Sequence, residues 1–534
     1  MNLKVNKSSA DTIGKWIADK ADLNGDAVAL DIMGVEKTYA DIHLDTNRLA
    51  TGLLALGLKP GDHASLMMKN SLSNVDVWFA MCKAGIVEVP INTAYRGQLL
   101  QYIIQHSKSK AIFIDEEYLG YLAVILPQLP ELRHIIINRE VTDKTPEYSV
   151  NVITHDLSEI YSNTTLHLPN IRNTDTSVLL YTSGTTGPSK GVMLCHEANL
   201  SLTRHTRRLV GYDHSDVLYT MFPLFHINAK YTSLMCAMEA NAKVVIDQRF
   251  SASQFWATCR AKGITAFNYQ GGMLKMLWKQ PEREDDSDNL VKNAFGAPCP
   301  IDIWEPFEKR FGLLLTEVYG MTEASIVTEN PKSHRKIGTA GRESENYSVI
   351  IADENDNPLP ANTPGEILIR PKTPSIIFKE YFGMPEKTLA AFRNLWFHSG
   401  DRGRMDEDGY LTFVDRIKDC IRRRGENISS YEVELVINSY DSVLESAAYG
   451  VPSDIGEEEV MVAIVMKPAT VLKEVELLDF CQEKMAHFSV PRYIVQVNSL
   501  PRTPSQRIEK FKLREIGITD STWDRDTSSF ILKR

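Results

Sequence analysis

Up to about residue 400, short apolar runs alternate with amphipathic stretches. The runs at 64–68 (ASLMM), 111–114 (AIFI), 134–137 (HIII), 178–181 (VLLY) and 243–246 (KVVI) read as short buried strands. Between them, 71–84 and 97–107 carry the helical period. Such alternation predicts parallel or mixed sheets covered by helices, and two such layers suit the length. The pattern changes near 401–430, where the turn-rich Asp406-Glu407-Asp408-Gly409 leads into a strand and then the basic run Arg416–Arg424. Beyond it the order is helix (431–440), strand (446–451), strand (460–466), helix (474–486) and strand (493–498), a compact α+β module. The expected fold is therefore α/β: a large N-terminal domain over 1–416, with layered mixed or parallel sheets and helices, and a small C-terminal α+β domain over 417–534.

Composition narrows the class. A chain of 534 residues is too long for one hydrophobic core. With 43% hydrophobic and 24% charged residues it has an ordinary globular mixture. No apolar run approaches the ~18–20 residues that cross a bilayer, and the start MNLKVNKSSADTIGKW lacks the apolar core of a secretory signal. No transmembrane segment is expected. The net charge of -10 disfavours nucleic acid as a partner and leaves any anionic substrate to local positive charge. Seven cysteines without a CxxC pair argue against a disulfide framework or zinc site, so a reducing cytoplasm is the expected location.

The most informative segment is Tyr181-Thr182-Ser183-Gly184-Thr185-Thr186-Gly187-Pro188-Ser189-Lys190-Gly191, between the apolar runs SVLLY and VML. Its chemistry suits a polyphosphate. Glycines let backbone N–H groups approach the oxygens, hydroxyls donate further bonds, and Lys190 supplies positive charge. It is not a Walker A loop, because the GxxxxGK[ST] spacing is absent. A second segment, Tyr319-Gly320-Met321-Thr322-Glu323, ends the apolar run LLLTEV. Tyrosine, threonine and glutamate there could stack a base, bond a phosphate and hold a hard cation.

On these motifs the sequence resembles the adenylate-forming acyl-CoA synthetases, relatives of luciferases and peptide-synthetase adenylation domains. The resemblance runs from about residue 25 to residue 515. It implies ATP, Mg²⁺ and coenzyme A as cofactors, with a small-molecule carboxylic acid as substrate. It implies that residues 182–187 and Lys190 hold the triphosphate, that Tyr319 flanks the adenine, that Thr322 touches a phosphate and that Glu323 helps hold Mg²⁺. Gly296-Ala297-Pro298 matches the segment that family places against the adenine. Asp401, in Trp396-Phe397-His398-Ser399-Gly400-Asp401, and Arg416 match its ribose contacts, and an acceptor-only carboxylate suits a vicinal diol. Lys418 falls at its hinge, which makes the small domain mobile. Arg422, Gly425 and Glu426 fall where that domain meets the coenzyme. His226, in Pro223-Leu224-Phe225-His226, matches an acyl-pocket or gating position. A homodimer stays open, since dimers are common in that family.

The chain departs from the family near its end. A threonine, a glycine and then a catalytic lysine are usual there, whereas this sequence has Thr503, then Gln506 and Arg507. Arginine keeps the charge but not the shape of lysine, so either Arg507 or the nearby Lys510 is expected to serve, or adenylation is impaired. The implied reaction is activation of the acid as acyl-AMP with loss of pyrophosphate, followed by transfer to coenzyme A. Two rivals remain: delivery to a carrier-protein phosphopantetheine, and a non-catalytic nucleotide-binding relative. The runs FSASQFW and IFKEYF resemble bacterial crotonobetaine/carnitine–CoA ligases, which implies a small or medium acid, with a carnitine-type substrate as one option. Segments 226–230, 267–273, 295–296 and 321–326 match that family's acyl-pocket walls. Phe267, Tyr269, Met273 and Phe295 would make the pocket aromatic, and aromatic faces suit a quaternary ammonium.

Overall fold

The structure is a computed structural model that describes residues 11–139, 152–163, 167–182, 189–416, 421–423, 426–428, 430–453, 458–485, 487–502 and 508–528, together with Phe530 and Leu532. The chain forms two compact units. The first holds the described residues up to 182 with 189–348 and 370–390; the second holds 349–369 and those from 391 onward.

Two sheets build the first unit among the described residues. One has seven strands in the order Ile153–Asp156, His134–Asn138, Ala111–Asp115, His63–Met67, Val87–Pro90, Thr176–Thr182, Lys190–Cys195. All but the last run parallel, and Lys190–Cys195 turns back antiparallel. The other has nine strands, with a parallel core of Leu314–Met321, Asn293–Gly296, Ala266–Tyr269, Val217–Thr220, Lys243–Ile246 and Val28–Ile32 flanked by antiparallel edges. The apolar runs at 111–114 and 134–137 are strands because every face they present is covered; Ala111, Ile112, Phe113 and Ile114 are fully buried.

The helix Leu72–Ala84 explains how the layers join. Ser71 caps it by accepting from the Asn74 N–H at 3.1 Å, and Gly85 ends it in the left-handed region at φ 71°. Every residue of this helix from Asn74 to Ala84 is buried, and the charged Asp76 among them is ion-paired to Lys37 at 2.7 Å. Its Trp78 packs edge-on against Tyr231, at 5.6 Å between ring centroids. Tyr231 belongs to Asn228–Leu234, a wide helical turn that follows a strand of the nine-stranded sheet.

Tyr347–Ala352, Gly365–Pro371, Trp396–Met405 and Phe392–Arg393, which apart from the ends of the first two belong to the second unit, form a sheet in that order, with Leu411–Arg416 paired to Trp396–Met405. A four-stranded sheet follows, Val443–Pro452, Glu458–Met466, Tyr493–Gln496 and Trp523–Asp524. The helices Ser430–Asn438 and Glu474–Gln482 cover one of its faces, where Val433, Ile437, Leu477 and Leu478 share a core with Val460, Val462 and Ile464. The expected boundary at 416/417 lies inside this second unit.

Candidate functional site

The strands Thr176–Thr182 and Lys190–Cys195 pair Tyr181 with Gly191 and Thr182 with Lys190, so they frame the glycine–hydroxyl segment between them. Ser183, Gly184, Thr185, Thr186 and Gly187 lie outside the described residues. The frame is braced from helix Gly97–His106. Tyr102 donates its hydroxyl hydrogen to the Ser189 carbonyl at 2.9 Å, and the Tyr181 hydroxyl is hydrogen-bonded to His106 Nδ1 at 2.7 Å. Burial, then the nearby Lys387 and Lys108, holds His106 below the usual histidine range.

Lys190 and Glu323 meet through a residue the sequence reading passed over as chemistry. The Lys190 ammonium sits 3.9 Å from the ring centroid of Tyr381, and the Tyr381 hydroxyl donates to Glu323 Oε1 at 2.9 Å. Tyr381 gets there because 378–382 runs as an added edge segment. Phe378 N–H donates to the Glu323 carbonyl at 2.8 Å, Lys379 N–H to the Met193 carbonyl at 2.9 Å, and Phe382 N–H to the Gly191 carbonyl at 2.8 Å. Burial first, then the Glu323 charge, pushes the Tyr381 phenol up, so it stays a neutral donor at physiological pH.

The adenine-type segments are neighbours at the carboxyl ends of parallel strands, where open α/β sheets place their ligands. Asn293–Gly296 and Leu314–Met321 pair Gly296 with Glu317. A Cβ on Gly296 would lie 2.1 Å from the Tyr269 carbonyl oxygen, so only glycine fits there. Ala297 and Pro298 follow, joined by a cis peptide bond. Glu317 then accepts from the Cys299 N–H at 2.9 Å and fastens this segment to the next strand. Burial pushes the Glu317 carboxyl up to about 8. Tyr319 is buried, and the register shifts between Tyr319 and Gly320, a bulge that re-aims the chain into Met321, Thr322 and Glu323.

His226 stands at the start of the wide turn Asn228–Leu234, its carbonyl accepting from the Lys230 N–H at 3.2 Å. Asn70 clamps the preceding segment, accepting from the Leu224 N–H at 2.9 Å and donating to the Phe222 carbonyl at 3.1 Å. Lys230 is fully buried and ion-paired to Glu88 of strand Val87–Pro90, with its ammonium 3.9 Å from the Trp78 ring centroid. The expected aromatic wall is differently disposed. Phe267 and Tyr269 pack into the core beside Phe255, Trp256 and Met273. The residue between them, on the other face of the strand, is Asn268, which donates to Asn228 Oδ1 and Thr232 Oγ1, both at 2.9 Å. Strand alternation forces this split.

In the second unit, Asp401 and Arg416 are cross-strand partners in the backbone register. The Gly400 N–H donates to Glu366 Oε1 at 3.1 Å and the Asp401 N–H to Ser399 Oγ at 3.0 Å, which fixes this strand segment. Lys510 opens the helix Lys510–Ile516, paired with Glu434 at 2.8 Å and hydrogen-bonded to Ser430. Lys418, Gly425 and Arg507 lie outside the described residues, as do the side chains of Arg416, Arg422 and Glu426.

Among the described residues no group of three or more His, Cys, Asp or Glu gathers as a metal cage. A single carboxylate at Glu323 fits Mg²⁺, which takes one or two carboxylates and completes its shell with water and substrate phosphates. Six cysteines (Cys82, Cys195, Cys236, Cys259, Cys299 and Cys481) are buried free thiols. No helix among the described residues is long and apolar enough to cross a membrane.

Residues 17–382 match the AMP-binding enzyme family, and 432–507 match the AMP-binding enzyme C-terminal domain. Fold and matches together define an AMP-forming acid–thiol ligase. The chain belongs to the AMP-binding enzymes, the adenylate-forming acyl-CoA ligases, which use ATP and coenzyme A. It is similar to the crotonobetaine/carnitine–CoA ligase of Citrobacter koseri, 32% identical over 493 residues that cover 89% of this chain and 93% of the relative. The enzyme of the same description from Salmonella paratyphi B is 31% identical over 507 residues, 93% of this chain and 97% of that one. Among solved structures, ATP-bound MatB from Rhodopseudomonas palustris superposes with a TM-score of 0.83 at 25% identity, covering 95% of this chain and 99% of that one. The anthranilate CoA ligase AuaEII in complex with anthranoyl-AMP has the same fold, with a TM-score of 0.85 at 24% identity, covering 97% and 99% of the two chains.

Proposed function

We propose that this ligase activates a small or medium, polar carboxylic acid and passes it to coenzyme A, with a carnitine-type acid the first to test. The acid's carboxylate oxygen attacks the α-phosphorus of ATP, and the bond to pyrophosphate breaks. The thiol sulfur then attacks the acyl carbon, AMP leaves, and the thiol proton passes to solvent. Lys190 and the hydroxyl segment from Thr182 hold the triphosphate. Gly296, Ala297, Pro298 and Tyr319 enclose the adenine; Asp401 and Arg416 take the ribose. Mg²⁺, held by Glu323, would offset charge on the departing pyrophosphate. No nucleophilic side chain is required, because positioning and electrostatics carry such a reaction. A turn about Lys418 would let one site serve both half-reactions.

The observation that carries this reading is the Lys190–Tyr381–Glu323 cluster, which joins the cation of the glycine–hydroxyl segment to the carboxylate of YGMTE. The polar acyl group is supported by Asn228 and Thr232, on the turn that follows His226, which both accept from Asn268 of strand Ala266–Tyr269. The test is release of AMP across a panel of acids, with thioester formation measured in parallel. Carnitine-type acids are expected above butyrate and benzoate; the reverse order would remove the carnitine-type assignment. Replacing coenzyme A with a carrier protein is expected to abolish transfer, and transfer to the carrier alone would reassign the acceptor.

A further inference from the structure

Tyr381 touches both charges on which the proposed reaction depends, and it does so by two separate interactions. The face of its ring meets the Lys190 ammonium at 3.9 Å, while the hydroxyl at its far end donates to Glu323 Oε1 at 2.9 Å. Tyr381 is 3% exposed and its ring packs against Phe378 at 4.8 Å between centroids, so it has little freedom to swing. Its backbone is tied as well. Val192 and Tyr381 pair as a β-bridge, and the Tyr381 N–H donates to Thr388 Oγ1 at 3.0 Å. A rigid aromatic residue therefore couples two flexible charged side chains, one from strand Lys190–Cys195 and one from the turn between Leu314–Met321 and Ser325–Asn330.

We infer that Tyr381 is a positioning residue for the nucleotide: its hydroxyl fixes the Glu323 carboxylate and its ring restrains the Lys190 ammonium, so both charges are placed before ATP arrives. This rests on the proposed roles of Lys190 and Glu323. Lysine and glutamate each lose several rotatable bonds of freedom when they close on a ligand. A partner that has already fixed them lowers that cost, which is the physical content of preorganisation. The two contacts are chemically separable. The hydroxyl acts on the carboxylate, and so on the magnesium-dependent part of binding; the ring acts on the cation, and so on binding with or without magnesium.

The experiment is calorimetric binding of ATP to the full chain, with and without Mg²⁺, in wild type, Tyr381→Phe and Tyr381→Leu, with melting temperatures measured in parallel. In Tyr381→Phe the strengthening of ATP binding by Mg²⁺ is expected to fall roughly tenfold, the scale of one hydrogen bond to a charged group. Its magnesium-free affinity is expected to stay at the wild-type value, with only a small fall in melting temperature from the lost bond. Tyr381→Leu is expected to lose about three- to fivefold more in magnesium-free affinity, the scale of a cation–π contact to a half-buried lysine. A Tyr381→Phe variant with wild-type magnesium dependence overturns the inference. So does a loss equal in both conditions and matched by a lower melting temperature, which marks a structural role. Wild-type protein that binds no ATP in either condition overturns the functional reading itself, a separate result.

Discussion

Replacing Glu317 with glutamine should make the protein less sensitive to rising pH. Glu317 is buried, and its carboxyl is pushed from an ordinary 4.5 up to about 8, chiefly by loss of water and against the Cys299 N–H bond that favours the charged form. Between those two values the folded protein holds a proton that the unfolded chain has released. Stability therefore falls as pH rises, by about 1.4 kcal/mol for each pH unit. The contribution is fully present below 4.5 and is lost as pH passes through about 8. Over that window the wild type should lose a few kcal/mol that the variant keeps, since glutamine stays neutral and still offers an oxygen to Cys299. In a chain of this size that difference amounts to several degrees of melting temperature, at roughly 2–4 °C per kcal/mol for domains of 150–250 residues. The assay is thermal melting of both proteins at half-unit steps from pH 5 to pH 8.5. Other titrating groups cancel in the difference. The two curves should converge at low pH, with the variant pulling ahead as pH rises. Parallel curves would refute the reasoning and mean that Glu317 is ionised in the fold.

The buried Lys230–Glu88 pair gives a second expectation. Lys230→Met alone strands a buried carboxylate and should cost about 3–5 kcal/mol, whereas Lys230→Met with Glu88→Leu should recover most of it, because Glu88 Oε2 has no partner among the described residues. Denaturant titration of the three proteins checks it; equal losses in the single and double variants would contradict it. Near the C-terminus, Arg507→Ala should slow adenylation by about 10²-fold, the scale of losing one charge-stabilising donor. Lys510→Ala should slow it less, since that ammonium already serves Glu434 and Ser430. Single-turnover acyl-adenylate formation separates them, and the opposite ranking would give Lys510 the role.

Much of the first unit was legible in the sequence because buried parallel strands write themselves as unbroken apolar runs. AIFI, HIII and KVVI became strands at 111–115, 134–138 and 243–246. Helix 71–84 was legible as a helix-like stretch between apolar runs, and the structure ends it with a serine cap and a glycine stop. The runs of glycine, hydroxyl and acid marked the candidate site. What stayed hidden was pairing at long range. Glu88 in AGIVEVPIN and Lys230 in NAKYTSLM carry no local sign of each other, and only the fold joins them across 142 positions. A glutamate inside a buried strand such as Val87–Pro90 is itself a signal that a partner exists. Tyr381 lay in IFKEYF, read for likeness and not for chemistry; its contacts depend on an edge segment returning 190 residues after Gly191, which no local pattern records. Phe267 and Tyr269 were read as pocket wall because segment 267–273 matches that of the family, and strand alternation puts Asn268 on the opposite face from both.

The central claim is that Lys190, Glu323 and the residues around them hold ATP so that a carboxylate can take its adenylyl group. It is tested most directly by exchange of labelled pyrophosphate into ATP, with magnesium present and coenzyme A withheld. Exchange that appears only when a suitable acid is added, and that Lys190→Ala and Glu323→Gln each depress, is the expected result. Exchange that is absent with every acid tried, or that proceeds unchanged in both variants, would contradict the account.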